Sequence, residues 1–230
     1  MARSAGSRNV CRSPQYLGTA RRQLAHLVAY LAVALAFAVA MAPFSSFTLG
    51  TAYAQAARAP FAPGDPVPAV VLQAYAELPN APMDPAAAEV ELVDRINALR
   101  VAWGERPLVM DGVLIALARE RSADMAERNF VSHDIPGVGY GPKWAQTQLA
   151  GGLYVYIGEN LGLSPFPSEM MAQTLFDAWV QSPTHLENLV RPEFKRVGIG
   201  VVEAPGPVEG MTRKFVTQYF ADSARPLARV

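Results

Sequence analysis

Val197-Gly198-Ile199-Gly200-Val201-Val202 and Phe215-Val216-Thr217-Gln218-Tyr219-Phe220, separated by a Pro/Gly-rich interval around residues 204–210, decide the fold of this chain. Both runs are β-branched and aromatic over the length of a strand, and the turn-forming interval between them predicts a hairpin. A further run of the same type, 153–157, predicts one more strand. Upstream the periodicity is helical. Asp84-Pro85 reads as an N-cap followed by proline at the first helical position, and Leu92, Ile96, Leu99 and Trp103 then share one face up to Gly104. Asp111 caps a second helix whose inner side carries Leu114, Leu117, Ala118 and Met125. Residues 129–152, rich in Gly and Pro, read as a long loop. Ser168 opens a third helix with Met171, Leu175, Ala178 and Trp179 inward, and Ser182-Pro183 starts a short fourth. Helices first and strands afterwards, joined by short connections, give an α+β chain with an antiparallel sheet. There is no βαβ alternation, no Gly-rich phosphate loop and no internal repeat.

Residues 1–54 read as a secretory signal. Arg3, Arg8, Arg12, Arg21 and Arg22 precede an apolar run over 27–42, no acidic residue occurs before Asp65, and Ala52-Tyr53-Ala54 has the Ala-x-Ala form of a cleavage site. Residues 55–84 hold Pro60, Pro63, Pro66, Pro68, Pro79 and Pro82, so they read as a linker in which neither helix nor sheet persists. The folded domain is expected over 85–222, with a tail over 223–230. The whole chain has 20 basic and 20 acidic residues, and the signal removes five of the basic ones, so the exported part is about −5 net. No basic stripe suits nucleic acid. Cys11, the one cysteine, lies in the signal, which excludes disulfides and thiolate chemistry from the exported part.

Two histidines, His133 and His185, and the carboxylate Glu159 are the candidates for chemistry. His133 follows a helix end, in a loop where function commonly sits. Glu159 lies directly after the predicted strand 153–157, and His185 and Asn188 share a face of the short fourth helix. A lone histidine is most often a surface or satisfied core residue, and Glu159 reads equally well as a solvated loop carboxylate, so spacing alone does not join the three.

Three segments, taken in order, carry a resemblance: Asn129-Phe130-Val131-Ser132-His133, Gly158-Glu159-Asn160-Leu161, and Trp179-Val180-Gln181-Ser182-Pro183-Thr184-His185-Leu186-Glu187-Asn188-Leu189. With Val197-Gly198-Ile199-Gly200-Val201 and Val216-Thr217-Gln218-Tyr219-Phe220, they make residues 88–221 similar to the bacterial branch of the CAP (SCP-like) superfamily of extracellular proteins. The resemblance implies a three-layer α-β-α sandwich around a central antiparallel sheet. It also implies a cleft lined by His133, Glu159 and His185, with Asn188 and Gln218 as further members. Some members of that family hold a divalent metal there. His133, Glu159 and His185 would suit zinc with a fourth position open. Two features depart from the eukaryotic pattern. Phe215-Val216 stands where many members carry a histidine, and the family's helix glutamate is absent, with His185 in its place.

Two function classes follow. The first is a non-enzymatic, extracytoplasmic binding module for a lipid, a wall component or a protein, in the periplasm or the medium. Tyr140, Trp144, Tyr154 and Tyr156 would line its groove, although ordinary loop packing explains the same aromatics. The second is a metal-assisted hydrolase of peptide, ester or phosphodiester bonds, with Glu159 as ligand or candidate base. The His-Glu-x-x-His and Gly-x-Ser-x-Gly motifs are absent, and a glycosidase would need a second opposed carboxylate. Binding is the expected class.

Overall fold

The computed structural model describes residues 62–78, 82–149, 154 and 156–222. The signal, its cleavage site, the tail and residues 153 and 155 of the predicted strand 153–157 lie outside the described residues. In chain order the elements are α1 (Ala69–Glu77), α2 (Pro85–Ala102), β1 (Val109–Met110), α3 (Gly112–Glu127), β2 (Asp134–Ile135), β3 (Gly139–Tyr140), α4 (Gly141–Gln148), β4 (Ile157–Ser164), α5 (Ser168–Gln181), α6 (Pro183–Val190), β5 (Arg196–Pro205) and β6 (Thr212–Ala221). Among the described residues, no helix is long and apolar enough to cross a membrane.

The predicted hairpin is β5–β6, antiparallel from Arg196↔Ala221 to Pro205↔Thr212. β4 pairs antiparallel with the other side of β6, and the two-residue β1 pairs parallel with β5, giving the order β1-β5-β6-β4. Side-chain alternation along a strand sorts the helices onto two faces. A Cβ at Gly198 or Gly200 would sit 2.2 Å from backbone atoms of Leu114 and Ala118, so both glycines let α3 lie directly on the sheet. Leu161 and Leu163 of β4 join Met125 of α3 in one apolar cluster with Phe215. The alternate residues of β4 face the other way: Gly162 abuts Leu175 of α5, and Gly158 abuts Phe194 and Asn188. Helices α2, α5 and α6 pack on one another over that second face. The molecule is therefore the expected α-β-α sandwich.

The helix starts follow the caps read from sequence. Asp84 Oδ1 accepts the amides of Ala86 and Ala87, and Asp111 Oδ1 accepts those of Val113 and Leu114. Gly104, just past α2, takes φ +79°, a left-handed value that suits glycine. Both exposed sides of the sheet are closed by side chains rather than strands. Glu89 of α2 accepts the amide of Val201 on β5, while Trp179 Nε1 donates to the Leu161 carbonyl and Asn188 Nδ2 to the Glu159 carbonyl on β4.

Three expectations are corrected. First, the Pro-rich segment carries a helix, because Pro68 serves as the N-cap of α1 and no other proline follows before Pro79. Val71 and Ala74 are buried against Phe166 and Met211. The Tyr75 hydroxyl donates to the Thr212 carbonyl and accepts the Thr212 amide, above a fully buried Lys214 that donates to the Phe166 carbonyl and to Thr212 Oγ1. Second, the loop 129–152 contains the β2–β3 hairpin and α4. Third, Glu159 lies inside β4 instead of after a strand. Gly158-Glu159-Asn160-Leu161-Gly162 has no β-branched residue, yet its glycines are what allow Phe194 and Leu175 to close on the sheet.

Candidate functional site

The site forms around the start of β4, where the two helical layers meet the outer strand of the sheet. Glu159 projects toward the α3 face. Its side chain is 0 % exposed, and Oε1 lies 2.7 Å from His133 Nδ1. A carboxylate only accepts, so Nδ1 carries the proton, and Nε2 is left as the acceptor when the ring is neutral. On the other side Arg121, 1 % exposed, sets Nε 3.7 Å from Glu159 Oε2. Its Nη2 donates to the Ser132 carbonyl, one residue before His133, and its guanidinium lies over the Phe130 ring at 5.2 Å. Arg121 thus binds both the carboxylate and the loop that carries the histidine. The Tyr219 hydroxyl is buried beside the same pair. Burial and then the Glu159 charge raise its pKa far above the usual phenol value, so it stays protonated.

Gly141, the first residue of α4, closes the cluster from above. Its amide donates to the His133 carbonyl at 2.7 Å. A Cβ there would fall 2.7 Å from Glu159 Oε2 and 3.1 Å from the His133 carbonyl oxygen, so only a glycine backbone fits against the carboxylate.

The opposite face of β4 holds a chain of amides. Asn188 Nδ2 donates to Asn160 Oδ1 at 2.9 Å, and Asn160 Nδ2 donates to Gln218 Oε1 at 3.0 Å and to the His185 carbonyl at 3.2 Å. Gln218 is completely buried, so it reaches the site only through this chain. His185 is half-buried. Burial, and next the proximity of His133, hold its imidazole below the ordinary pKa. The two histidines come from different elements, His133 from the loop after α3 and His185 from α6, and are near enough for a charge on one to disfavour a charge on the other.

Of the aromatics read as a groove, Tyr154 belongs to the core, its hydroxyl donating to Asp111 Oδ2 at 2.6 Å, and Trp144 packs on the same cluster. Burial works to raise the Asp111 carboxyl, but hydrogen bonds from Tyr154, the Leu114 and Val113 amides and Arg196 together hold it below the usual value. Tyr140 and Tyr156 are exposed. Tyr140, 56 % exposed, stands with its ring centre 6.5 Å from that of His133, whose side chain is 47 % exposed. The accessible surface over the buried carboxylate is thus an imidazole and a phenol, with the exposed Val138 on the same hairpin.

The family model of the cysteine-rich secretory protein family, CAP, matches residues 93–220, more than half of the 230 residues. The chain belongs to the CAP family. The matched span runs from α2 to β6 and contains every residue of the cluster. The uncharacterized protein YkwD of Bacillus subtilis (strain 168) is 31 % identical over 125 residues, which is 54 % of this chain and 46 % of YkwD. The chain thus spans about half the length of that relative. Among solved structures, an extracellular SCP-domain protein of Bacillus anthracis str. Ames is 24 % identical with a TM-score of 0.49, covering 70 % of this chain and 45 % of its own. An outer surface protein of Borrelia burgdorferi is 18 % identical with a TM-score of 0.49, covering 63 % and 99 %.

The CAP cleft implied a metal, with His133, Glu159 and His185 as donors. Among the described residues, no three His, Cys, Asp or Glu side chains are gathered closely enough to hold an ion. The reason is visible in the cluster. One oxygen of Glu159 is bonded to His133 Nδ1, and the other faces the Arg121 guanidinium. The carboxylate already has its cation, and a three-ligand zinc set is not assembled.

Arg121, Tyr219, Asn160 and Gly141 were not singled out as site residues from sequence. For Arg121 a signal existed. It falls on the apolar stripe of α3, three residues after Ala118 and four before Met125, and a charge on a buried stripe calls for a buried partner.

Proposed function

We propose that this chain is an exported CAP-domain binding module, not an enzyme, acting outside the cytoplasmic membrane on a lipid, a wall component or a protein. Its signal is residues 1–54, removed after Ala54, and the exported chain works in the periplasm or the medium. The arrangement of basic residues, apolar run and Ala-x-Ala supports export, as does membership of a secretory family.

One observation carries the binding reading: the single carboxylate of the site is wholly buried and tied to Arg121 and His133. A general base must reach the proton it removes, within hydrogen-bond distance or through one water. Glu159 instead spends its charge inside the protein, holding the loop that presents His133. The exposed part, His133 and Tyr140, offers flat, partly apolar rings of the kind that line small-ligand sites.

The test has two arms. The protein purified from its export compartment is extracted with organic solvent, and co-purifying molecules are identified by mass spectrometry. In parallel, casein, a p-nitrophenyl ester and bis-p-nitrophenyl phosphate are supplied with and without zinc. A retained ligand and no turnover are expected. Turnover of any of the three that Glu159→Gln abolishes overturns the proposal in favour of the hydrolase.

A further inference from the structure

We infer that Arg121 is the resident cation of this site. It is a positioning residue that holds Glu159 and the His133 loop together, at the place where the family resemblance implied a metal ion. The inference rests on the reading above that the His133–Glu159–His185 edge is the functional one.

The argument is one of charge and reach. A buried carboxylate is costly unless a cation or several donors meet it. Within reach of Glu159 stand His133 Nδ1, the Tyr219 hydroxyl and the Arg121 guanidinium. Only the guanidinium is charged at every pH the protein meets. It comes from the middle of α3, packed along the sheet, so its position is set by the core. Its second branch, through Nη2 to the Ser132 carbonyl, fixes the chain immediately before His133. Gly141 locks the other side of the same carboxylate and accepts no side chain. A zinc ion would have to displace this guanidinium, and among the described residues no third donor is gathered with His133 and Glu159 to compensate.

The experiment uses the purified chain, Arg121→Met, Arg121→Lys, Glu159→Gln and the double variant Arg121→Met/Glu159→Leu. Thermal unfolding is followed with zinc at about 1 mM and with chelator. A zinc site of micromolar Kd would raise Tm by roughly 10 °C at that concentration. For the wild type a shift below about 1 °C is expected. Imidazole ¹⁵N–¹H correlation spectra report the His133 tautomer. Wild type and Arg121→Lys should show the Nδ1–H form, because a cation still pairs Glu159. In Arg121→Met the buried carboxyl group, left without its cation, takes up a proton and becomes the donor to Nδ1, so the Nδ1–H form should be lost. The double variant, with both charges gone, should unfold at a higher temperature than Arg121→Met. If Arg121→Met does not fold, recovery of a cooperative transition in the double variant carries the test instead.

A large zinc-dependent rise in the wild type, absent in Glu159→Gln, overturns the inference. So does an unchanged His133 tautomer in folded Arg121→Met, or a double variant no better than the single. None of these results bears on whether a ligand co-purifies, and an absent ligand would leave the role of Arg121 standing.

Discussion

Adding one methyl group at Gly141 tests the packing of the site more directly than removing any side chain. Gly141 and Gly112 are each the first residue of a helix, α4 and α3, and neither takes a positive φ. A Cβ at Gly112 meets nothing within 4 Å, whereas one at Gly141 meets Glu159 Oε2 at 2.7 Å, Oε1 at 3.0 Å and the His133 carbonyl at 3.1 Å. The carboxylate is restrained by the hydrogen bond from His133 to Oε1 and by the ion pair of Oε2 with Arg121 at 3.7 Å. Gly112→Ala should therefore stabilise by about 0.4–1 kcal/mol through the unfolded chain. Gly141→Ala has the same entropic gain but suffers an overpacking penalty of about 1–3 kcal/mol. The net loss of about 1–2 kcal/mol corresponds to roughly 3–6 °C in Tm for a domain of this size. Scanning calorimetry of the two single variants beside the wild type reads the difference. Equal Tm changes for Gly141→Ala and Gly112→Ala would refute the claim that the carboxylate is locked.

Other consequences follow from the same structure. Gly200→Ala places a Cβ 2.2 Å from backbone atoms of Ala118 and Arg119, which cannot yield as a side chain would, and should cost about 3 kcal/mol or more by urea unfolding. Tyr75→Phe removes the hydroxyl that bonds both the amide and the carbonyl of Thr212, and should cost about 1–2 kcal/mol, showing that α1 is docked. His185 is held below the ordinary imidazole value of about 6.5, so the unfolded chain takes up its proton first as pH falls. Its contribution is complete above that value and is lost as pH drops below it. A Tm series from about pH 7.5 to 5 should fall less steeply in His185→Gln than in the wild type. Tyr154→Phe should cost about 1.5–3 kcal/mol, since its hydroxyl bonds an ionised carboxylate.

The sandwich was legible in the sequence because its signals are local. Asp84 and Asp111 announce helix starts, and 197–202 and 215–220 announce the hairpin, each within a few residues. β4 was misplaced because its boundaries rest on tertiary contacts. Gly158 and Gly162 have poor strand propensity and are accepted only because Phe194 and Leu175 press on them. The helix α1 was hidden among prolines, and what holds it, Phe166, Met211 and Thr212, lies about 90 residues or more away in sequence. At the site, His133, Glu159 and His185 were found by their resemblance to a family. Spacing alone could not show that Glu159 turns inward to an arginine. Pairing between α3 and β4 is a property of the folded register, and the charge at position 121 on an apolar stripe was its one trace in the chain.

The central claim is that the rings at the surface bind while the carboxylate beneath them holds the scaffold. The measurement that tests it most directly is the affinity of a fluorescent fatty-acid probe for wild type, Tyr140→Ala and Glu159→Gln, each first shown to be folded by circular dichroism. Tyr140→Ala should weaken binding about tenfold, the loss of roughly 1.4 kcal/mol of contact, and Glu159→Gln should stay within a few-fold of wild type. Unchanged affinity in Tyr140→Ala, with binding abolished in a folded Glu159→Gln, would contradict the account and make the carboxylate the ligand-contacting group.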